Sequence, residues 1–284
     1  MKEQVLIVGC GDIGERLSRI LSGDNYDVTG LRRHPPQNSA HLTYIGCDVT
    51  DSTALATVLA RGFDVVVVSM TPNERSDAGY ERAYVQTCRN LVEGLGDKKP
   101  RLVVFVSSTG VYGQEDGSWV DENSPTVPDS FSGKRLLEAE QVLRDSGLAH
   151  CIVRFSGIYG PGRNRLIDMI REKRATNSTA FTNRIHVDDC AASLAHLIER
   201  HRHHTLAPIY IASDSAPVPM VEILSWLATQ MGLENDFADA ADNTNNKRCS
   251  NRLLLSTGFA LTYPSYKEGY EAMLRNQASP LDVQ

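Results

Sequence analysis

A short apolar run at residues 4–8, QVLIV, leads directly into the glycine-rich sequence GCGDIG. Apolar residues then recur at helical spacing at Ile13, Leu17 and Leu21, so the glycines are predicted to lie on a turn between a buried strand and a helix. In such a turn the first glycine permits the bend, the second lets a pyrophosphate approach the backbone, and the third lets helix and strand pack closely. The alternative is a tight strand-to-helix turn that binds nothing.

The GxGxxG spacing, placed between a strand and a helix, predicts a dinucleotide site. The residues assigned to that site are Gly9, Cys10, Gly11, Asp12, Ile13 and Gly14. The next predicted strand, YDVTGL, ends at Arg32 and Arg33, where an acidic residue would bind the ribose hydroxyls of NAD. Because a guanidinium binds phosphate through two hydrogen bonds, this pair predicts NADP, with NAD left open. The alternative is two solvated surface arginines.

A third predicted strand, LTYIG, is followed by two aspartates. Asp48 is assigned to the cofactor site. Asp51 precedes the sequence STALATVLA and is predicted to cap the helix that this sequence forms.

Strands and helices alternate along most of the chain, which predicts an α/β fold: a Rossmann-type, doubly wound parallel sheet with a small C-terminal substrate lobe. The dinucleotide-binding core is predicted over residues 1–155, completed by about residues 182–212. Residues 156–181 and 213–284 form the substrate-side lobe in this interpretation. Within it, the polar segment 234–250 is predicted to be an exposed loop or surface.

Composition excludes several classes of function. The 284 residues carry a formal net charge of -6, which argues against a general binder of nucleic acid or of a membrane surface. No apolar run approaches the ~20 residues of a membrane span. The six cysteines are scattered without CxxC spacing, which indicates reduced thiols in a cytoplasmic protein and neither disulfides nor a metal. The expected partner is a small-molecule substrate, with a homodimer left open.

Several further motifs together resemble the short-chain dehydrogenase/reductase superfamily, in its extended, epimerase/dehydratase-like branch. They are GCGDIG, VFVSSTGVYG, RFSGIYGPGRNRL and RIHVDDCA, and they span most of the chain. The C-terminal GFALTYPSYKEGY fits an atypical subgroup better than the sugar epimerases. The resemblance implies NAD or NADP as cofactor, and many extended members act on nucleotide sugars. It places Ser108 at the position of the catalytic serine.

The sequence DSFSGKRLLEAEQVL, residues 129–143, departs from this family's pattern. The resemblance implies a tyrosine and a lysine four residues apart on one helix face, and no tyrosine occurs between Trp119 and Tyr159. One register aligns the pair with Ser130 and Lys134, and a second aligns it with Phe131 and Arg135. A third register places Leu136 at the lysine position. Lys134 is assigned to the cofactor, since in the first register it would hold the ribose. Serine is too weak an acid to replace the phenol unaided.

For each of the remaining candidate catalytic or substrate-binding residues, a purely structural role is the alternative. Ser108 would bind a substrate carbonyl, or it is a small residue that leaves room for nicotinamide. Tyr112 would be a substitute acid, or it is a packing residue or part of the wall of the substrate site. His186 would be an acid or base, or it is a partner of a neighbouring aspartate. Arg163 and Arg165 would bind a diphosphate or carboxylate of the substrate, or they are solvated.

Two functions remain open from the sequence. The first is an NADP-dependent oxidoreductase or epimerase/dehydratase-like enzyme on a small polar substrate, such as a nucleotide sugar. The second is a non-catalytic NADP-binding protein that senses redox state or scaffolds a partner.

Overall fold

The computed structural model describes residues 2–23, 25–239 and 246–278. The chain divides into two compact units. The first comprises Met1–Tyr112, Pro125–Arg154 and Ala191–Tyr210, and the second comprises Gly113–Ser124, Phe155–Cys190 and Ile211–Gln284. Residues 113–124 and 182–190, which the sequence analysis places in the Rossmann core, fall in the second unit. Short strands in both stretches pair with partners of that unit, Trp119–Val120 with Arg248–Cys249 and Arg184–His186 with Gly157–Tyr159.

The main sheet has seven strands: β1 (Glu3–Val8), β2 (Tyr26–Arg32), β3 (Thr43–Gly46), β4 (Val65–Val68), β5 (Leu102–Ser108), β6 (His150–Phe155) and β7 (Ile209–Ala212). Their order in the sheet is β7–β6–β5–β4–β1–β2–β3. Strand β1 pairs in parallel with both β2 and β4. The strand order therefore reverses between β1 and β4, and ligands of such sheets bind at this switch point, beyond the carboxyl ends of the strands. The predicted Rossmann-type doubly wound sheet is confirmed.

Ten α-helices occur in the described residues. They are α1 (Asp12–Leu21), α2 (Ser52–Leu59), α3 (Asp77–Tyr80), α4 (Thr87–Leu95), α5 (Phe131–Asp145), α6 (Arg165–Arg171), α7 (Val187–Arg200), α8 (Met220–Gln230), α9 (Arg252–Ser256) and α10 (Tyr266–Ala278). A π-helical segment, Glu81–Gln86, joins α3 to α4, and a 3₁₀ turn, Thr109–Val111, follows β5. The predicted cap of α2 is confirmed, since the Asp51 carboxylate accepts hydrogen bonds from the N–H groups of Thr53 and Ala54.

Burial explains why residues 5–8 of β1 and all of β4 are apolar. All four valines of β4 are fully buried, as are residues 5–8 of β1. A strand covered on both faces needs apolar residues at every position, not at alternate positions. The pairing of these two buried strands therefore fixes where the loops that follow them begin.

The second unit contains short strands and its own apolar core. Besides the four strands already given, these are Thr176–Asn177, Phe181–Thr182, Val218–Pro219 and Ala238–Asp239. Helices α6, α8 and α10 bury one face each around Ile167, Leu227 and Tyr270. The apolar periodicity of these helices thus builds a separate core in this unit.

The prediction of an exposed loop over residues 234–250 is wrong where the structure describes its end. Lys247 is 5% exposed and Cys249 is 1% exposed. The strand Arg248–Cys249 pairs with Trp119–Val120, so partners distant in sequence bury a segment that looks solvated by composition. Residues 240–245 of this segment lie outside the described residues.

Across the described ranges, no helix is both long and apolar enough to cross a membrane.

A buried ion pair joins α5 to β6. The Glu140 side chain is fully buried and Arg154 is 2% exposed. The Arg154 Nε donates to Glu140 Oε1 at 2.9 Å, and its Nη2 donates to Oε2 at 2.6 Å. Ser107 Oγ donates to the same carboxylate at 2.7 Å, and Arg154 Nη1 donates to the hydroxyl of Tyr112 at 2.8 Å. Every charge in this network has a partner, which is the condition for tolerating it in a core.

We expect Glu140→Gln to lower the free energy of unfolding by about 3–5 kcal/mol, because the Arg154 guanidinium loses its buried counterion. The matched control is Glu138→Gln on the same helix, whose side chain is 36% exposed and pairs with Arg135 at 2.8 Å. An exposed pair contributes little, so the control should lose far less. Urea unfolding followed by circular dichroism measures both. Equal losses for the two variants would contradict this account of the pair.

Candidate functional site

The three glycines after β1 have different surroundings. Gly9 has a φ of +79°, and a Cβ there would lie 2.7 Å from the carbonyl oxygen of Ser69. A Cβ on Gly14 would lie 2.9 Å from Cys10 Sγ. A Cβ on Gly11, in contrast, would meet no atom within 4 Å. The protein's own packing therefore requires Gly9 and Gly14, whereas Gly11 leaves open space at the N-terminus of α1.

That space belongs to a cavity of about 590 Å³ in the first unit. It is bordered by residues that follow four strands of the sheet, so it lies at the switch point between β1 and β4. Its lining includes Gly9, Gly11, Arg32, Arg33, Asp48, Thr50, Ser69, Met70, Asn73, Gly79, Arg82 and Ala83. The volume is within the range of roughly 300–1,000 Å³ that is typical of small-molecule and cofactor sites.

Both arginines at the end of β2 line this cavity. The Nη1 of Arg32 lies 3.3 Å from Glu15 Oε1, which also accepts a hydrogen bond from the Tyr44 hydroxyl at 2.9 Å. The Nη2 of Arg33 donates to Asn73 Oδ1 at 2.5 Å. These contacts hold both guanidinium groups at the cavity wall, and each keeps further N–H donors for an anionic ligand.

Asp48, which follows β3, also lines the cavity. Its Oδ1 accepts hydrogen bonds from the hydroxyl and the N–H of Thr50, at 2.7 and 3.0 Å. These two bonds hold the pKa of Asp48 below its ordinary value, so the carboxylate is charged at neutral pH.

The other residues assigned to the glycine turn, Cys10, Asp12 and Ile13, have side chains that contact only the protein itself. Cys10 is fully buried, and burial, followed by the charge of Glu15, raises the pKa of its thiol to about 12. Such a thiol is unreactive at neutral pH. The Asp12 carboxylate accepts from Arg16 Nε at 2.7 Å, and Ile13 is buried in the core. The side chains of Cys10 and Ile13 are thus part of the packing of the turn, and that of Asp12 is engaged with Arg16.

The first turn of α5 has no tyrosine, and its polar groups are engaged locally. Ser130 caps the helix, its Oγ accepting from the N–H of Gly133 at 3.2 Å. The Phe131 ring packs edge-on against Tyr80, with 5.5 Å between ring centroids. Arg135 binds both carboxylate oxygens of Asp77, at 2.8 and 2.7 Å. Lys134 is exposed and is not among the described residues that line the cavity.

The two candidates that follow β5 differ in accessibility. The hydroxyl of Ser108 is half-buried and accepts from the N–H of Gly110 at 3.0 Å. Tyr112 is fully buried, and its hydroxyl accepts from Arg154 Nη1. This bond favours the packing interpretation of Tyr112, since its hydroxyl completes the Glu140 network.

The substrate-side candidates belong to the second unit. His186 is 2% exposed, its Nδ1 accepts from the N–H of Asp188 at 3.2 Å, and its ring lies 3.9 Å from that of Tyr263 between centroids. The hydrogen bond assigns the proton of the neutral ring to Nε2. Arg165 is exposed at the start of α6, and Arg163 lies on the turn before it, with its N–H bonded to the carbonyl of Gly160. His186 Nδ1 also lies 3.5 Å from Asp188 Oδ2, which favours the interpretation of His186 as a partner of a neighbouring aspartate.

Sequence reasoning missed the loop after β4. Residues 69–71 and 73–74 line the cavity, and Asn73 holds one of its arginines. Farther on, Arg82 lines the cavity and forms an ion pair with Glu74. The available signal was the fully apolar strand VVVV: if it neighbours β1, the loop after it must border the switch point.

Comparisons with known proteins agree with this geometry. A family model described as NAD(P)H-binding matches residues 9–201. Protein YeeZ from Escherichia coli K12 is 29% identical over 282 residues, covering 92% of this chain and 97% of YeeZ. A solved structure from Methylobacillus flagellatus, provisionally named NAD-dependent epimerase/dehydratase, is 38% identical with a TM-score of 0.86 and covers 98% of this chain and 100% of that one.

A more distant structure shows the same fold. UDP-glucuronic acid 4-epimerase from Bacillus cereus, solved in complex with UDP-glucuronic acid and NAD, is 19% identical with a TM-score of 0.82, covering 97% of this chain and 100% of that one. The family match over residues 9–201 and the 38% identity along nearly the whole chain lead to one conclusion. The chain belongs to the NAD(P)H-binding family and, within the short-chain dehydrogenase/reductase superfamily, to its epimerase/dehydratase-like proteins.

Proposed function

We propose that the chain is an NADP-dependent oxidoreductase or epimerase/dehydratase-like enzyme that acts on a small polar substrate such as a nucleotide sugar. The observation that carries the proposal is the cavity that joins Gly11 to Arg32 and Arg33. An NADP molecule needs an uncrowded backbone for its pyrophosphate and cations for its 2′-phosphate, and one cavity offers both.

The residues present fit the cofactor. Open space at Gly11 lets a pyrophosphate reach the N-terminus of α1, where N–H groups without helical partners and the helix dipole favour anions. On this assignment Arg32 and Arg33 bind the 2′-phosphate, and Asp48 and Thr50 border the adenosine half.

A bound nicotinamide supplies hydride transfer, and the chain must then move a proton. Ser108 is proposed to hold the substrate oxygen, since its hydroxyl is half-buried at the end of β5. The engaged groups of α5 give no support for a Tyr-Lys pair on that helix. Tyr112 and His186 stay candidates for the proton, with the contacts of both favouring structural roles.

The substrate class is supported by relatives. The Bacillus cereus structure is a complex with UDP-glucuronic acid and NAD, and the Methylobacillus flagellatus protein carries an epimerase/dehydratase name. A nucleotide sugar carries a diphosphate, and Arg163 and Arg165 are proposed to bind that group.

The first turn of α5 favours a second candidate function, a non-catalytic NADP-binding sensor or scaffold. Neither Ser130 with Lys134 nor Phe131 with Arg135 supplies an acid held beside a cation. Both proposed functions require the same NADP-binding residues. They differ in whether the bound NADP exchanges a hydride with a substrate.

We expect Gly11→Val to abolish dinucleotide binding while the protein still folds. Its side chain would fill the space meant for the pyrophosphate and would strike no protein atom at Cβ. Calorimetry with NADP measures binding, and circular dichroism with thermal unfolding measures the fold. The control is Gly14→Val, which should lower the Tm because its Cβ would collide with Cys10. Micromolar binding by folded Gly11→Val would contradict the assignment of the turn.

We expect the wild type to bind NADP at least tenfold more tightly than NAD, and Arg32→Asp to remove that preference. A charge-assisted hydrogen bond contributes about 1.5–3 kcal/mol, and the new carboxylate would repel the phosphate. Calorimetry with both cofactors tests this. The matched control is Arg19→Ala, because Arg19 also pairs with Glu15, at 3.9 Å, but does not line the cavity. Equal affinities in the wild type, unchanged by Arg32→Asp, would refute the NADP assignment.

A further inference from the structure

A second cavity, of about 620 Å³, lies within the second unit and shares no described lining residue with the cofactor cavity. Its apolar part includes Trp119, which is 56% exposed, and Leu253, which is 36% exposed. Three exposed polar residues, Asp121, Asn123 and Arg252, also line it and carry a carboxylate, an amide and a guanidinium. Apolar surface beside a few polar groups is the composition typical of a small-molecule site.

The indole ring of Trp119 is covered on one face by a cation. The Arg248 guanidinium lies 5.2 Å from the ring centroid of Trp119 and 4.8 Å from that of Phe181. Its Nε donates to the carbonyl oxygen of Gly117 at 2.8 Å, and the short strands that carry Trp119 and Arg248 pair in parallel. Because Trp119 is still 56% exposed, its exposed surface lies on the other ring face and the edges. A ring that is already held in this way loses little conformational entropy when a ligand stacks on it.

The polar residues that follow Trp119 form a turn held by its own hydrogen bonds. Asp121 Oδ1 accepts from the N–H of Asn123 at 3.0 Å and from the hydroxyl of Ser124 at 2.9 Å. Ser124 Oγ accepts in return from the N–H of Asp121 at 2.9 Å. The hydrogen bonds that the structure shows for this carboxylate are all made by Oδ1, so Oδ2 keeps its capacity to accept from a ligand.

The charges of the lining indicate a neutral ligand. Among the described lining residues, the carboxylates of Asp121 and Glu122 outnumber the one guanidinium, that of Arg252. This balance disfavours an anion such as a phosphate group. A purely apolar ligand is disfavoured as well, because it would remove the Asp121 carboxylate from water without giving it a hydrogen bond. The lining therefore favours a neutral molecule that has both an apolar face and hydroxyl groups.

A sugar ring combines these two properties. One of its faces carries C–H groups that pack on an aromatic ring, and each hydroxyl at its edge both donates and accepts hydrogen bonds. Adjacent hydroxyls would donate to Asp121 Oδ2 and accept from the Asn123 amide or the Arg252 guanidinium. The exposed face of Trp119 and the turn that follows it thus match one ligand class.

We propose that this cavity binds a neutral saccharide, with a sugar ring stacked on Trp119 and hydrogen-bonded to Asp121 Oδ2. It is a second ligand site of the chain, with a lining separate from that of the cofactor cavity. The proposal does not rest on the proposed function, since it uses no residue assigned to the cofactor or to catalysis.

The test uses the fluorescence of Trp119 itself. The chain has two tryptophans, so Trp226→Phe leaves Trp119 as the single reporter, with circular dichroism to check the fold. Methyl glucoside, N-acetylglucosamine and maltose are titrated against sorbitol, an acyclic reference that has hydroxyls but no ring face. We expect at least one saccharide to shift the emission to shorter wavelength, saturably and with a Kd of about 1 mM or tighter, because the ring leaves water. Calorimetry on the wild type checks the same affinity without the Trp226 substitution.

Two variants and one control assign the response to this cavity. Trp119→Ala should abolish the binding heat, and Asp121→Asn should weaken affinity about tenfold, since it keeps the Oδ1 acceptor of the turn and replaces Oδ2 by a donor. The control is Leu233→Ala, which removes another exposed apolar side chain of the second unit, 42% exposed, and should change nothing. An emission change no larger than that with sorbitol for every saccharide, or binding that Trp119→Ala retains, would overturn the proposal.

Discussion

The close approach of β1 to β4 is the constraint on which the candidate site depends. Strand β1 turns at Gly9, where a Cβ would lie 2.7 Å from the carbonyl oxygen of Ser69 at the end of β4. Contact this close permits only glycine, and it brings the start of α1 beside the loop after β4. The cavity exists because residues 5–8 of β1 pair with the four buried valines of β4, which places these two loops side by side. Its position therefore follows from the burial of the sheet, and the end of β2 adds Arg32 and Arg33 to its lining.

The sequence predicted the parts of the site that are set by local backbone chemistry. The glycine turn was predictable because spacing and position together require a strand, a tight bend and a helix. The cap at Asp51 was predictable for the same reason, since a carboxylate before a helix satisfies N–H groups of its first turn. The placement of Arg32 and Arg33 on the cavity wall followed from the length of β2.

Features that depend on partners distant in sequence were not predictable in this way. Composition indicated that residues 234–250 were exposed, yet pairing with Trp119–Val120 buries Cys249 and brings Lys247 inside. Tyr112 was a candidate acid by its place after β5, and only the fold shows that Arg154 engages its hydroxyl. Helix α5 is the intermediate case: its sequence contains no tyrosine, whereas its structure shows that Arg135 forms an ion pair with Asp77.

The central claim is that a chain with this cofactor cavity reacts without a Tyr-Lys pair on α5. The most direct measurement mixes saturating NADP or NADPH with a panel of nucleotide sugars, following absorbance at 340 nm and separating the sugars by chromatography. Conversion of at least one sugar, at an unchanged rate in Ser130→Ala, is the result the account predicts. Bound cofactor with no conversion of any sugar, or a loss of turnover in Ser130→Ala with cofactor affinity intact, would contradict it.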